Sequence, residues 1–355
     1  SSDTDVVWTA DPLSEFEKYP GIDLFYTSDL LDDLQMLPPH DNTASLNCGI
    51  MYLRATPWVI SIVEEWIEQI LQYPKKWDQN LLREILRNKN KEKTLGLPVT
   101  SWSNGHVFFV QHNSKNTVVI HNTFQYGWII GKTWRFMEYG LWNLPYPYGK
   151  SSEKYLTYTP TYSDMHDPGP IPLENENASV KLVRETHMVY METQLLQLEA
   201  AWNLAQKEDR ILILPQFKCM YERNFYSHMG RTPGSPQYKL PYICPTDHIL
   251  NIGAFSLERL SKMRPYGFKP TKGLREAEPH ELVGRGTNEF RKGWVLPWCC
   301  TRLKSLDYPV LKPEKVKPMP VLLMHTDSKY DDMTHNMLKS MEGLGLELEL
   351  EFWLV

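Results

Sequence analysis

Ser2-Asp3-Thr4-Asp5-Val6-Val7-Trp8 opens the chain, and the reading of everything downstream depends on it. Val6, Val7 and Trp8 form a short apolar run that Asp11-Pro12 closes, the pattern of a strand end leading into a loop. Two carboxylates one residue apart at such an end can share a hard divalent cation. A cation of that kind takes oxygen ligands, and nucleotide phosphates can complete its shell. Alone, the spacing carries little information, because paired acids also occur in solvated loops and at helix starts.

Working outward, residues 45–54 read as a strand. Thr56-Pro57 starts a helix, with Thr at the N-cap and Pro at the first helical position. Its apolar face is Trp58, Val59, Ile62, Val63, Trp66, Ile67, Ile70 and Leu71, and Pro74 ends it. A second helix begins near Asp78, with Leu81, Leu82, Ile85 and Leu86 on one face. Strands are predicted at about 105–111 and 117–121. Residues 145–178, rich in Pro, Tyr and Ser, read as a linker. Beyond it the pattern predicts a helix over 185–206, a buried strand over 210–215, a strand over 321–324 and a helix over 329–342. In residues 346–354 apolar residues mostly alternate with Glu, which predicts a final strand. This order argues for a second α/β layer.

The chain has 355 residues, 42% of them hydrophobic and 23% charged, which fits two globular domains. A net charge of −5 without a long basic run disfavours nucleic acid as a partner. Twelve Trp and 19 Tyr offer faces that stack on sugars, although such residues also fill cores. No run reaches the length of a membrane helix, and the start at Ser1 reads as that of a fragment or a processed form. The cysteines, at positions 48, 219, 244, 299 and 300, fit no zinc motif. A Cys219–Cys244 bridge is open to them in an oxidising compartment, and buried thiols are the alternative. Asn177-Ala178-Ser179 is a glycosylation sequon.

After the opening acids come, in order, Asn47-Cys48-Gly49-Ile50-Met51-Tyr52, Trp77-Asp78-Gln79, and His121-Asn122-Thr123-Phe124-Gln125-Tyr126-Gly127 ending in Gly131-Lys132. This ordered series over residues 1–150 resembles glycosyltransferases of the GT-A fold, and more closely family 77, the nucleotide-diphospho-sugar transferases of plants and algae. Thr193-Gln194-Leu195, the run from Arg210 to Pro215, and the run from Pro241 to His248 resemble one branch of it. That branch is the arabinosyltransferases that extend hydroxyproline-linked arabinosides of extensins.

The resemblance implies an α/β chain holding the C-terminal part of a Rossmann-like GT-A domain (residues 1–145), a linker (146–179) and a second α/β domain (180–355). The nucleotide-binding part of the catalytic domain, and any membrane anchor, would precede residue 1. Asp3, Asp5 and His121 would hold Mn²⁺ or Mg²⁺. Lys132 and Arg135 would grip the donor diphosphate, Asn47 and Gly49 would lie against the donor sugar, and Asp78 with Gln79 would serve catalysis. Asp78 also reads as a helix cap. The partners implied are a UDP-sugar donor and a glycan or glycoprotein acceptor, and the place is the Golgi lumen, as a type II membrane protein. The reaction implied is retaining transfer of arabinofuranose from UDP-arabinofuranose. Another UDP-sugar (xylose or galactose) and a non-catalytic glycan-binding protein are the alternatives.

Two departures matter. Trp128, Ile129 and Ile130 stand where the family has more charged and hydroxyl residues, and Thr133-Trp134 replaces a basic pair. The run from Gly127 to Thr133 also has a P-loop look, but it has three residues between its glycines instead of four and no apolar strand leading directly into it.

Overall fold

The computed structural model describes residues 2–33, 45–89, 91–148, 154–162, 176–220, 241–283, 294–295 and 331–343. They fall into two compact units. The first holds residues up to 108, residues 112–123 and, later in the chain, 331–343. The second holds 109–111 and most of the described chain from Phe124 to Val295.

In the first unit, β1 (Val6–Trp8) leads into the short helix α1 (Leu13–Glu17) and then β2 (Leu24–Ser28). β3 (Leu46–Leu53) is followed by α2 (Pro57–Gln72), α3 (Asp78–Arg87), β4 (Thr94–Gly96), β5 (Trp102–Asn104), the short helix α4 (Gly105–Phe109) and β6 (Val119–His121). Two three-stranded sheets result, ordered β3-β2-β4 and β1-β6-β5. The residues just before β1 join them: Ser2 bridges Ile50 on β3, and the Asp3 amide donates to the Gly49 carbonyl at 2.6 Å. β1 then runs antiparallel to β6 with Val6 opposite His121.

The core of this unit is aromatic. Phe16 stacks on Tyr52 at 4.0 Å between centroids and also meets Phe25 and Trp102. α2 begins as its sequence dictates, Thr56 accepting from the Val59 amide with Pro57 at the first helical position.

The second unit contains α5 (Trp128–Glu138), β7 (Tyr155–Thr157), the long helix α6 (Glu176–Lys207), β8 (Ile211–Ile213), β9 (Phe217–Cys219), β10 (Tyr242–Cys244), α7 (Leu257–Ser261), β11 (Met263–Arg264) and β12 (Leu274–Glu276). Four strands form a wholly parallel sheet, ordered β11-β8-β7-β12. α6 buries Met191, Leu195, Leu198, Ala201 and Ala205 in the same cluster as Leu156 and Leu212 of that sheet. Parallel strands need such a cover, because their pairing leaves both faces apolar. β9 and β10 pair antiparallel, and a Cys219–Cys244 disulfide joins them.

The sequence expectations and the structure differ in three places. Residues 105–109 form α4 rather than a strand, because the Asn104 side-chain Oδ1 caps the His106 and Val107 amides at 3.1 and 3.0 Å. The chain leaves the first unit at Thr123, not near residue 145, and the expected linker contributes β7 to the centre of a sheet. The last described helix, α8 (Asp331–Glu342), packs on β1 rather than in a second domain. Met337 joins the cluster of Val6 and Trp8, and Ser340 Oγ accepts from the Trp8 amide at 3.1 Å. The strands predicted over 321–324 and 346–354, and Cys299 and Cys300, lie outside the described residues. The sequon falls at the start of α6.

Met337→Ala therefore removes a buried side chain from the first unit's core. We expect it to destabilise that unit by about 2 kcal/mol or more, read by urea unfolding followed through Trp fluorescence. Unchanged stability would show that α8 does not pack against β1.

Candidate functional site

β1 and β6 set the centre of the site. Asp5 sits just before β1 and accepts the Asn122 amide on its carbonyl, which puts its carboxylate beside His121 at the end of β6. Asp3, two residues earlier, is held by its amide bond to Gly49. His121 Nε2 lies 3.4 Å from Asp3 Oδ2 and 3.6 Å from Asp5 Oδ1. One ligand atom from each of the three lies within 4.8 Å of the others, and among the described residues no other such group of His, Cys, Asp and Glu occurs. Asp5 and His121 are buried, whereas the Asp3 side chain is 57% exposed and opens the group to solvent. Burial by itself lowers the His121 pKa, but the Asp5 and Asp3 carboxylates outweigh it and push it up to about 10.

Gly49 closes the group from the side. A β-carbon there would fall 2.6 Å from Asp3 Oδ2 and 2.9 Å from Asn47 Oδ1, and closer still to the His121 ring. Only glycine lets β3 approach.

Around this centre a network fixes the turn from Asn47 to Gly49. Asn47 Oδ1 accepts the Gly49 amide at 2.8 Å, and Gln79 Oε1 accepts the Cys48 amide at 3.1 Å. Both amides trace back to Asp29, at the end of β2. Its Oδ1 accepts from Asn47 at 2.9 Å, and its Oδ2 accepts from Gln79 at 3.4 Å and Arg83 at 3.3 Å. Arg83 also donates to the Leu46 carbonyl. Sequence reasoning missed Asp29 and Arg83. Asp29 directly follows the five buried residues of β2, a run without the alternation that marks a strand in sequence.

Asp78 is exposed at the start of α3. Its Oδ1 accepts the Gln79 amide at 2.7 Å, its Oδ2 lies 3.8 Å from Cys48 Sγ, and Trp66 Nε1 donates to its carbonyl. Burial and the Asp78 and Asp3 carboxylates push the Cys48 thiol far up, so it stays protonated.

The structure thus gathers Asp3, Asp5, His121, Gly49, Asn47, Gln79 and Asp78 in the first unit. Lys132 and Arg135 lie on α5 in the second. Lys132 is half-buried. Arg135 has no exposed surface: Nε and Nη2 donate to Asp247 at 3.0 and 2.6 Å, and Nη2 also reaches the Phe124 carbonyl. A guanidinium engaged in this way braces the fold and does not reach a diphosphate, which corrects the expectation for Arg135. Nearby, burial pushes the Glu138 carboxyl up to about 7 although Thr246 donates to it twice. Its contribution to stability is therefore present below about 4.5 and lost as pH rises through about 7.

Residues 1–132 match the family model of the nucleotide-diphospho-sugar transferases. The chain is 27% identical over 299 residues to the arabinosyltransferase XEG113 of Arabidopsis thaliana, covering 77% of this chain and 44% of that protein. It therefore spans less than half the length of the curated relative it matches. No solved structure matches it significantly. Over its first 132 residues the chain is similar to the nucleotide-diphospho-sugar transferases, and over most of its length to a plant arabinosyltransferase.

Proposed function

We propose that the protein is a metal-dependent glycosyltransferase moving a sugar from a UDP-activated donor to a glycan or glycoprotein acceptor. The observation that carries this is the convergence of Asp3, Asp5 and His121, all three within the residues that match the family model. Two carboxylates and an imidazole suit Mn²⁺ well and Mg²⁺ less well, because imidazole is a borderline ligand. When bound, the cation neutralises charge on the departing diphosphate. Asp3, the exposed member, faces incoming phosphate, while the buried Asp5 and His121 fix the position of the centre.

Asn47 and Gly49 present a shaped backbone edge to the donor sugar, and Asp29 holds that edge rigid through Asn47 and Gln79. Asp78 offers its carboxylate at the rim, where it can orient donor and acceptor hydroxyls. Retention then proceeds by front-face attack, with the departing phosphate taking the acceptor proton and positioning providing most of the rate. The finer reading is a GT-A enzyme transferring arabinofuranose from UDP-arabinofuranose to hydroxyproline-linked arabinosides in the Golgi lumen. The named relative supports the sugar, and the disulfide supports an oxidising compartment.

In the full-length protein, we expect transfer from UDP-arabinofuranose to arabinosylated hydroxyproline peptides, abolished by chelator. Asp5→Ala is expected to lower it about a hundredfold or more. Transfer of another sugar would keep the metal centre and refute the arabinose assignment. No transfer by folded protein would refute catalysis.

His121 must shed its proton to bind metal. Below about pH 10 each unit of pH therefore costs metal affinity, so Mn²⁺ binding followed by electron paramagnetic resonance should tighten about tenfold per unit from pH 6.5 to 8.5. The metal-free protein shows the opposite trend. The His121 contribution to its stability is full below about 6.5 and lost as pH rises through about 10. A flat affinity profile would mean that His121 is not a ligand.

Gly49→Ala places a methyl group against Asp3 and His121. We expect it to weaken Mn²⁺ about tenfold or more while costing about 1–3 kcal/mol of stability. Unaltered binding in a folded variant would remove Gly49 from the site.

A further inference from the structure

Asp29 directly follows β2 and is held from both sheets of the first unit. The β1-β6-β5 sheet holds its backbone. Asn104, the last residue of β5, donates from Nδ2 to the carbonyls of Ser28 and Leu30 at 3.1 and 2.7 Å, one on either side of Asp29. Asn104 is buried and stands opposite His121 in the pairing of β5 with β6. The Asp29 side chain serves the other sheet. Its Oδ1 accepts from Asn47 Nδ2, and its Oδ2 accepts from Gln79 and Arg83. Asn47 and Gln79 in turn accept the Gly49 and Cys48 amides through their own side-chain oxygens. The Gly49 carbonyl then accepts the Asp3 amide at 2.6 Å. A continuous relay of hydrogen bonds thus runs from the strand beside His121, through Asp29 and the Asn47–Gly49 turn, to the backbone of Asp3.

We infer that Asp29 is a positioning residue for the metal centre: by fixing the Asn47–Gly49 turn against the strand beside His121, it sets where the Asp3 carboxylate lies relative to Asp5 and His121. This rests on the reading of Asp3, Asp5 and His121 as cation ligands. Asp3 needs such a hold more than the other two. Asp5 and His121 are buried on backbone segments that pair with each other directly. The Asp3 side chain is 57% exposed, and its backbone is anchored through Gly49 and the neighbouring Ser2 bridge to β3. A carboxylate that accepts from three side chains at once couples them, which no single bond would do. Groups that orient a metal ligand without touching the metal govern its affinity. Asp29 lies outside the ligand group and acts on the cation only through Asn47, Gly49 and Asp3.

The test is a double-mutant cycle in the full-length protein, with Mn²⁺ alone as the probe and electron paramagnetic resonance as the readout of bound metal. Asp29→Asn keeps the size but turns one acceptor oxygen into a donor, which cannot serve Asn47, Gln79 and Arg83 together. We expect it to weaken Mn²⁺ binding about tenfold and to change the spectrum of the bound ion. In an Asp3→Ala background the relay ends on no carboxylate, and Asp5 and His121 still bind Mn²⁺ at higher concentration. There Asp29→Asn should cost no more than about a further threefold. Asn47→Ala interrupts the relay one step on and leaves Asp29 paired with Arg83. It should reproduce both results, and it replaces Asp29→Asn in the cycle if that variant does not fold. An Asp29 that only stabilises the fold would lower the unfolding temperature with Mn²⁺ affinity and spectrum intact, or weaken Mn²⁺ equally with and without Asp3. Either result overturns the inference. Wild-type protein that binds no Mn²⁺ would refute the metal reading itself, and that is seen before any variant is measured.

Discussion

At Gly49 the backbone of β3 runs against the Asp3 carboxylate and the His121 ring with no space for a side chain. This approach organises the first unit. It requires the residues before β1 to pair with β3 while β1 itself pairs with β6, so that one run of seven residues stitches two sheets together. It also concentrates two acids around a histidine that burial alone would leave neutral. The histidine answers by keeping its proton, and the group behaves as a small ionic cluster that a cation can enter only by displacing that proton.

Both units rely on a carboxylate that accepts several donors. Asp29 is partly exposed and gathers side chains from β3 and α3, so the turn it shapes faces the site. Asp247 is buried and pairs with a buried guanidinium. That arrangement tolerates little change, because removing either partner strands a charge away from water. The first carboxylate shapes a surface and the second locks an interior, and the difference in exposure decides which variants the fold will accept.

The paired acids at the centre of the site were legible in the sequence because Asp3 and Asp5 stand one residue apart, whereas His121, more than a hundred residues later, entered only through the family resemblance. The helices α2 and α3 were legible from their apolar faces and, for α2, from Thr56-Pro57. β2 was missed because its five buried residues show no alternation, and Asp29 was missed with it. The helix at 105–109 was read as a strand because a short apolar run fits either period, and only the Asn104 cap decides between them. The unit boundary was misplaced for another reason. The contacts that draw residues 124–145 to the second unit come from residues more than a hundred positions away, such as Arg135 with Asp247, and no local pattern announces them.

β9 and β10 share only three paired positions, and the covalent link at Cys219–Cys244 closes the stretch of chain between them. A cross-link of that kind forms where an oxidant and an isomerase are at hand, and glutathione undoes it elsewhere. The choice of expression host is thus a structural decision for this protein. Material made in a reducing cytosol would lack the cross-link two residues before the Thr246–His248 segment, and strong thiol reductants in a purification buffer act on the same bond.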